Sequence, residues 1–298
     1  MSAAAPTRRE PDWDLTPYFA DVAAPDFVAF RKALGEDVRA ERARCEALGS
    51  ISDARDAWVA ALVALEAVGA RLRHVASYLG CRTAADADDE ISKRESAGLD
   101  AVRTDLEKAW VAVRAAFRAA ADPAFAALLA APELAGATYY LQRVRQRAAQ
   151  SMAPALEGLA ADLTPTALRA WGRLYDQVSG TLTFTLAVPG RAPEVHPVAM
   201  TRTLMQDADP EVRRAALAGS ATAWEGVADT TAACLNAIAG TRLALYARRG
   251  IGDFLEPALL DAAIERRTLH AMLGAVAARR EVARRYLRAK ARRLGLAK

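Results

Sequence analysis

The sequence predicts a mainly α-helical protein, built as antiparallel helical layers with one small β-hairpin near residues 181–198. Three observations support this fold class. Ala, Leu, Arg and Glu, which favour helix, dominate outside that stretch. Apolar residues recur every three or four positions over long segments, whereas in the ribbon TLTFTLAVPGRAPEVHPV they alternate with threonine. The 298 residues, 53% of them hydrophobic and 26% charged, indicate a globular chain of one large or two smaller domains.

Three long helices are predicted first. Pro25 and Asp26 begin a helix that Gly49 ends, and Ser52 opens the second helix. The second helix carries a single apolar stripe over residues 58–79. The third starts in the acidic run at 86–90, because negative side chains stabilise the positive end of a helix dipole. Short connections favour antiparallel neighbours, so these helices are expected to form one layer.

Shorter helices and the hairpin follow. Thr164 and Pro165 predict a helix start, a capping hydroxyl before a first-turn proline, and Gly180 predicts the end of that helix. The turn of the hairpin is predicted at Pro189-Gly190. Since an isolated hairpin is marginal in water, this one is expected to pack on helices.

The last third of the chain is predicted to be helical again. Asp209-Pro210 opens a long helix that continues to Tyr246, with Gly219, Gly226 and Gly240 as bends or close-packing points. Arg248 to Gly250 form a C-terminal signal. The final helix begins near Glu265.

Three segments carry a resemblance to a known family. They are WDLTPYFAD at the start, the ribbon followed by DADPEVRRAA, and RLALYARRGIGDFLEPALLDAAI followed by RYLRAKARRLGL. In this order they resemble oligoendopeptidase F proteins, zinc endopeptidases related to thimet oligopeptidase. The resemblance implies the N-terminal part of an elongated peptidase fold that contains a channel. It also implies an N-terminal helical region at 1–122, a helical region ending in the hairpin at 123–198, and the start of the peptidase domain at 199–298. Trp13 and Phe19 of the first segment are expected to anchor it on an apolar surface.

The catalytic signature of that family is absent from the sequence. Its zinc site uses His-Glu-x-x-His, because histidines four residues apart on a helix can hold one Zn²⁺ while the glutamate acts as general base. Here His74, His196 and His270 are followed by valine, proline and alanine. We therefore expect no catalytic, cofactor-binding or metal-ligating residues in this chain, and zinc is implied by the family alone.

The function implied is the N-terminal, substrate-channel portion of a zinc metalloendopeptidase that hydrolyses short peptides. Such a portion is expected to lack catalysis on its own and to need a missing C-terminal catalytic region as its partner. A non-catalytic helical interaction protein derived from such a peptidase is the alternative.

Nucleic-acid binding through the last helix is a further alternative. Eleven Arg and Lys residues follow Glu265 against one acid, and Arg280, Arg284, Arg288 and Arg292 recur every four residues. The chain has 35 Arg and only 5 Lys throughout, however, so the bias is general. A solvated or acid-paired face is favoured, and nucleic acid is not the expected partner.

Other candidate sites are weaker. His74 and Cys81 lie two helical turns apart, but a core-edge histidine and a buried thiol are the favoured interpretation. His196 is expected to be a surface turn histidine. The three cysteines are odd in number and widely spaced, which predicts reduced, partly buried thiols in a cytoplasmic protein. The apolar runs are too short and too charged to predict a membrane span.

Overall fold

The structure, a computed structural model, describes residues 13–296. In chain order the elements are α1 (Pro25–Ala47), α2 (Arg55–Ala85), α3 (Glu90–Ala119), α4 (Asp122–Leu129), a 3₁₀ segment (Pro132–Ala137), α5 (Thr138–Ala148), α6 (Pro154–Thr164), a π-helical segment (Pro165–Arg169), α7 (Ala170–Thr181), β1 (Thr183–Leu186), β2 (Glu194–Pro197), a 3₁₀ turn (Val198–Met200), α8 (Thr201–Leu204), α9 (Pro210–Glu225), α10 (Ala228–Arg248), α11 (Leu255–Ala262) and α12 (Arg266–Arg293). The predicted fold class, mainly α with one small hairpin, is confirmed.

The first three helices form an up-down-up layer. Ion pairs join Arg31 to Glu95 at 2.7 Å and Arg42 to Asp105 at 2.8 Å, so α1 and α3 run in the same direction. The chain reverses between them along α2, which is therefore antiparallel to both. This arrangement confirms the antiparallel helical layer expected from the short connections.

The main hydrophobic core lies inside this layer and under α4 and α5. Its largest fully buried side chains include Trp58, Tyr78, Phe27 and Phe117. Every large apolar residue of the predicted α2 stripe is buried, from Trp58 at 1% exposure to Leu79 at 0%. The Trp58 indole Nε1 donates a hydrogen bond of 2.9 Å to the Gly49 carbonyl, which satisfies its one polar group. The helix itself begins at Arg55, three residues after the predicted Ser52, because Ser50 to Ala54 form a turn.

The acidic start predicted for α3 is confirmed, and Asp89 caps it. The Asp89 carboxylate accepts hydrogen bonds from the Ser92 backbone N–H at 2.9 Å and from Arg82 Nη2 at 3.1 Å. Burial alone would raise the pKa of Asp89, but the bonds from Ser92 and Arg82 lower that pKa below its ordinary value. The cap thus joins the end of α2 to the beginning of α3.

The first segment anchors the chain only in part. Phe19 is buried as predicted and packs edge-on against Phe27, with ring centroids 5.2 Å apart. Trp13, by contrast, is 93% exposed, so its predicted role as an anchor is wrong. A single exposed apolar side chain is common on a protein surface, because more than half of that surface is contributed by apolar atoms.

No helix starts at Thr164-Pro165, contrary to prediction. The backbone continues from α6 into α7, and the Thr164 hydroxyl donates back to the Ala160 carbonyl at 2.7 Å rather than capping a new helix. Pro165 has no N–H and its ring would clash in a regular α-turn. The helix widens instead to a π-turn, in which the Ala170 N–H bonds to the Pro165 carbonyl.

The continuous α6–α7 rod runs antiparallel along α3. Near its start, Asp162 pairs with Lys108 at 2.6 Å. Near its end, Gly180 approaches Ala87 so closely that an added Cβ would lie 3.2 Å from the Ala87 Cβ. Residue numbers thus decrease along α3 and its preceding turn as they increase along α6 and α7, which is the antiparallel order.

The predicted long helix from Asp209 to Tyr246 is two helices. α9 ends at Gly226, whose N–H reaches the Thr222 carbonyl at 3.2 Å, and α10 begins at Ala228. The bend predicted at Gly226 is therefore confirmed, while the continuity of the helix is wrong. Of the 21 residues of α10 only Cys234 is buried.

The chain packs as two compact units, of which the first ends at Leu245 and the second begins at Tyr246. In the second unit α10 ends at Arg248, two residues beyond the predicted Tyr246 and within the predicted C-terminal signal. Gly250 takes φ +69°, and the Ile251 N–H bonds back to the Tyr246 carbonyl at 2.9 Å. An ion pair of 2.5 Å joins Asp253, in the turn before α11, to Arg266 at the start of α12.

Within residues 13–296, no single helix is long and apolar enough to cross a membrane. One bent pair, Asp122–Leu129 with Pro132–Ala148, reaches the required length and composition together, with a 100° bend between its parts.

Candidate functional site

The hairpin between α7 and α9 has an open strand edge with backbone hydrogen-bonding capacity. Its strands pair antiparallel, with Phe184 opposite His196 and Leu186 opposite Glu194. The turn forms where Pro189-Gly190 predicted it: Gly190 has φ +78°, which side chains disfavour, and the Arg191 N–H bonds to the Val188 carbonyl at 3.1 Å.

One face of the hairpin packs on α9. Phe184 and Leu186 are buried against Val212 and Ala216, which form a second hydrophobic cluster with them. The two elements approach closely because residue 219 of α9 is glycine. A Cβ on Gly219 would lie 2.8 Å from Phe184 Cδ2 and closer still to the Thr185 carbonyl oxygen. The hairpin thus packs on a helix, as the sequence predicted.

The outer edge of β2 has free backbone groups. The Val198 N–H bonds to the Leu182 carbonyl at 2.9 Å, and antiparallel pairs alternate between bonded and non-bonded, so Thr185 and Val195 form a non-bonded pair. Their backbone groups therefore point away from the hairpin. Those of Thr185 point towards Gly219 of α9, whereas those of Val195, a residue 70% exposed, point to an open edge. Pro197 has no N–H, which limits that edge to a short stretch.

His196 lies in strand β2 rather than in a turn, so the predicted location is wrong. Its ring is tilted over Phe184 with centroids 6.1 Å apart, and Nε2 lies 3.1 Å from Glu194 Oε2. The sequence pattern missed this carboxylate because residues two apart share a face only once the segment is known to be a strand. The two side chains place one hydrogen-bonded pair beside the open edge.

The other two histidines lie elsewhere on the fold. His74 of α2 is exposed and stacks on Tyr18 with ring centroids 4.9 Å apart. His270 is exposed on α12. Cys81 is exposed, so the prediction of a buried thiol there is wrong; its position on α2 lies outside the apolar stripe.

The residues present do not fit the zinc ion that the family resemblance implies. Over residues 13–296, no three His, Cys, Asp or Glu side chains lie close enough together to hold a metal ion. The histidines also lack the i, i+4 spacing on one helix that a shared metal requires.

Cys45 illustrates how a thiol is made inert in this fold. It is 2% exposed on α1, and burial, with a smaller effect of nearby Glu41, raises the pKa of its thiol to about 11. A thiol that stays protonated is a poor nucleophile and metal ligand.

A groove of about 890 Å³ lies beside Trp58, between α1, α3 and α6. Its walls are mostly small residues such as Ala115 and Gly158. The charged groups at its rim pair with one another, Lys108 with Asp162 and Arg42 with Glu46. This lining contains no arrangement of nucleophile and base.

The basic face of α12 is partly neutralised by its own helix. Glu281 lies 3.1 Å from Arg288 and 3.7 Å from Arg284, two of the four arginines that recur every four residues. Exposed pairs of this kind are typical of a solvated face. Within the described part of α12 the aromatic residue is the single Tyr286, so a run of stacking platforms for bases is not formed.

These features define first a class of protein: a helical fold found in peptidases. The chain superposes on a peptidase from Chlamydophila abortus with a TM-score of 0.56 and 19% sequence identity, over 96% of this chain and 48% of that one. It superposes on oligoendopeptidase-F from Enterococcus faecium with a TM-score of 0.76 and 16% identity, over 92% of this chain and 52% of that one. The chain thus spans about half the length of each of these structures.

The sequence comparison then points to a particular family. Residues 118–184, from the end of α3 to the start of β1, match the family model described as oligopeptidase F. No curated protein sequence matches the chain. The resemblance to the N-terminal portion of oligoendopeptidase F, stated above from three sequence segments, is confirmed by this match and by the shared fold.

Proposed function

We propose that the chain forms the helical channel wall of an oligoendopeptidase F-like zinc metalloendopeptidase and binds its short peptide substrates in extended form. The observation that carries the proposal is the open edge of β2 at Val195, in a fold similar to that of oligoendopeptidase-F and a short way along the chain from the segment 118–184 that matches the oligopeptidase F model. An extended peptide adds to such an edge through main-chain hydrogen bonds, which are independent of its sequence.

The chain is proposed to have no peptidase activity alone and to act in the cytoplasm. Its three histidines are separated in sequence and lie on different elements, so zinc and the general base would come from a C-terminal catalytic region. The regions 1–122, 123–198 and 199–298 are proposed as successive parts of the complete enzyme.

Exposed apolar residues support a partner of this kind. Leu235 and Leu243 of α10 are 67% and 59% exposed, and Leu217 of α9 is 55% exposed. Exposed leucines on two successive helices are expected where another protein surface packs. A non-catalytic interaction protein would also use this surface, so the surface does not separate the two alternatives. A reading frame that encodes His-Glu-x-x-His, continuous with the gene or adjacent to it, would favour the peptidase over the interaction protein.

The peptide-binding role is tested at Val195. Substitution Val195→Pro removes the N–H at the open edge, while Val195→Thr keeps it and keeps a β-branched side chain. Binding of a dye-labelled octapeptide, followed by fluorescence anisotropy, is expected to weaken about tenfold in Val195→Pro, the loss of about one hydrogen bond, and to be unchanged in Val195→Thr. Equal binding by both variants would refute edge addition.

The catalytic part of the proposal is tested with the same peptide. Mass spectrometry of the peptide after prolonged incubation with the purified chain and added Zn²⁺ is expected to show no cleavage. Cleavage that a chelator abolishes would show that the chain contains its own active site.

A further inference from the structure

An arginine cluster between α3 and α7 has no part in the hairpin. The Asp100 carboxylate of α3 is buried, with 8% of its side chain exposed, and three guanidinium groups contact it. Arg103 Nη1 lies 3.3 Å from Oδ1, Arg169 Nη1 lies 3.1 Å from the same oxygen, and Arg173 Nη1 lies 2.5 Å from Oδ2. Three positively charged guanidiniums surround one carboxylate, which gives the cluster a net charge of about +2.

The cluster has more hydrogen-bond donors than Asp100 uses. Each arginine reaches the carboxylate through Nη1, and no second acceptor among residues 13–296 pairs with Nε or Nη2 of Arg103, Arg169 or Arg173. A planar guanidinium presents its donors as a fork that fits a carboxylate with two parallel bonds. The side chain of Arg173 is 42% exposed, so its spare donors are accessible from solvent.

The chain also sets the distance between this cluster and the hairpin. Arg173 precedes the start of β1 at Thr183 by ten residues, almost all of them in α7. At 1.5 Å per helical residue this is about 15 Å, a length that about five extended residues span. An anion bound at Arg173 would thus lie within the reach of a short peptide paired with the hairpin.

We infer that Arg169 and Arg173, supported by Asp100 and Arg103, form a binding site for the C-terminal carboxylate of a short peptide. This rests on the proposed peptide-binding function and names the group of the peptide that is recognised. Asp100 holds the guanidiniums together, and the remaining charge and donors attract the carboxylate. The site favours peptides whose terminus lies a few residues beyond the segment paired with β2.

The test compares one dye-labelled octapeptide with a free C-terminal carboxylate and the same octapeptide with a C-terminal amide. The free acid is expected to bind about tenfold more tightly than the amide, because hydrogen bonds to charged groups are stronger than those to neutral ones. Arg173→Gln is expected to remove that difference by weakening the acid while the amide is unchanged. Arg191→Gln, which removes another exposed, carboxylate-paired arginine, is the matched control and is expected to preserve the difference.

Asp100→Asn separates recognition from a purely structural role. A folded Asp100→Asn chain carries one more net positive charge in the cluster and is expected to bind the acid more tightly than the wild type. Equal affinity of the wild type for acid and amide overturns the inference but leaves the proposed function standing, whereas binding of neither peptide overturns both. Competition by inorganic phosphate without any preference for the acid peptide would identify a site for small anions and also overturn the inference.

Discussion

Adding one methyl group at Gly219, by the substitution Gly219→Ala, should push the hairpin away from its supporting helix α9. In the substitution Gly219→Ala the new Cβ would lie 2.8 Å from Phe184 Cδ2 and closer still to the Thr185 carbonyl oxygen, whereas ordinary van der Waals contact begins at 3.4 Å. The nearest atom belongs to the backbone of β1, which cannot rotate away. The strand and α9 must therefore move apart by at least about half an ångström, enough to forfeit a quarter of the dispersion energy of their contact.

The expected free-energy change combines two opposing effects. Overpacking of a well-packed site destabilises by about 1–3 kcal/mol. Replacing glycine by alanine inside a helix stabilises by about 0.5–1 kcal/mol, since alanine has less backbone freedom to lose. The net expectation is a loss of about 1–2 kcal/mol, concentrated in the small cluster that Phe184 and Leu186 form with α9.

Gly240 of α10 provides the matched control. It is also a helical glycine, and a Cβ there would meet nothing within 4 Å. Gly240→Ala is therefore expected to stabilise by about 0.5–1 kcal/mol. Urea unfolding followed by circular dichroism measures the overall change, and hydrogen exchange of the β1 and β2 amides measures the local one. If Gly219→Ala matched Gly240→Ala in stability and in hairpin exchange, the close approach would not have the energetic role assigned to it.

Three further predictions concern the first helical layer. At pH 8 a thiol reagent should modify Cys81 rapidly and Cys45 only on unfolding, because at a pKa of about 11 only about one Cys45 in a thousand is thiolate; mass spectrometry of the modified chain identifies the site. The pKa of Cys45 is higher in the folded state than in the unfolded state, so the stability that the buried, protonated thiol contributes is complete below pH 9 and is lost as pH rises towards 11. Over that range the wild type should lose about 2–3 kcal/mol more stability than Cys45→Ala, as urea midpoints would show. Asp89→Ala should destabilise by about 1–2 kcal/mol through loss of the α3 cap, and Asp89→Asn by less, because the amide oxygen still accepts the Ser92 N–H. Since the pKa of Asp89 is lowered in the folded chain, the stability that its charge adds over Asp89→Asn should begin to decline below about pH 4 and be lost as pH falls through that lowered pKa. A difference in urea midpoint that persisted at still lower pH would count against the pairing with Arg82.

The sequence predicted best where one local pattern decides the outcome. The stripe of α2 from Trp58 to Leu79 and the acidic start of α3 follow from side-chain periodicity and the helix dipole, and both are confirmed. The turn at Gly190 follows from the backbone freedom of glycine. These signals act within a few residues and need no knowledge of the tertiary fold.

The sequence predicted poorly where the outcome depends on distant neighbours. Thr164-Pro165 has the composition of a helix start, yet packing of α6 and α7 along α3 keeps the rod continuous through a π-turn. The Arg169 and Arg173 pairing with Asp100 joins residues about 70 apart, which no spacing rule detects. The free edge at Val195 could be located only once the register of the hairpin was known.

In α10 the distribution of apolar residues does not match the burial of its side chains. A helix buried against a single neighbour has one apolar stripe, as α2 has, whereas a helix surrounded by protein is apolar on all sides. α10 has apolar residues on more than one side but is not enclosed by protein, since among its described residues only Cys234 is buried and Leu235 and Leu243 are exposed. The first helical layer buries the stripe of α2, while α10 and α9 present exposed leucines of the kind that a further layer covers. The free edge of β2 at Val195 lies on the hairpin that α9 supports, so the proposed peptide-binding edge adjoins a helix whose Leu217 is exposed.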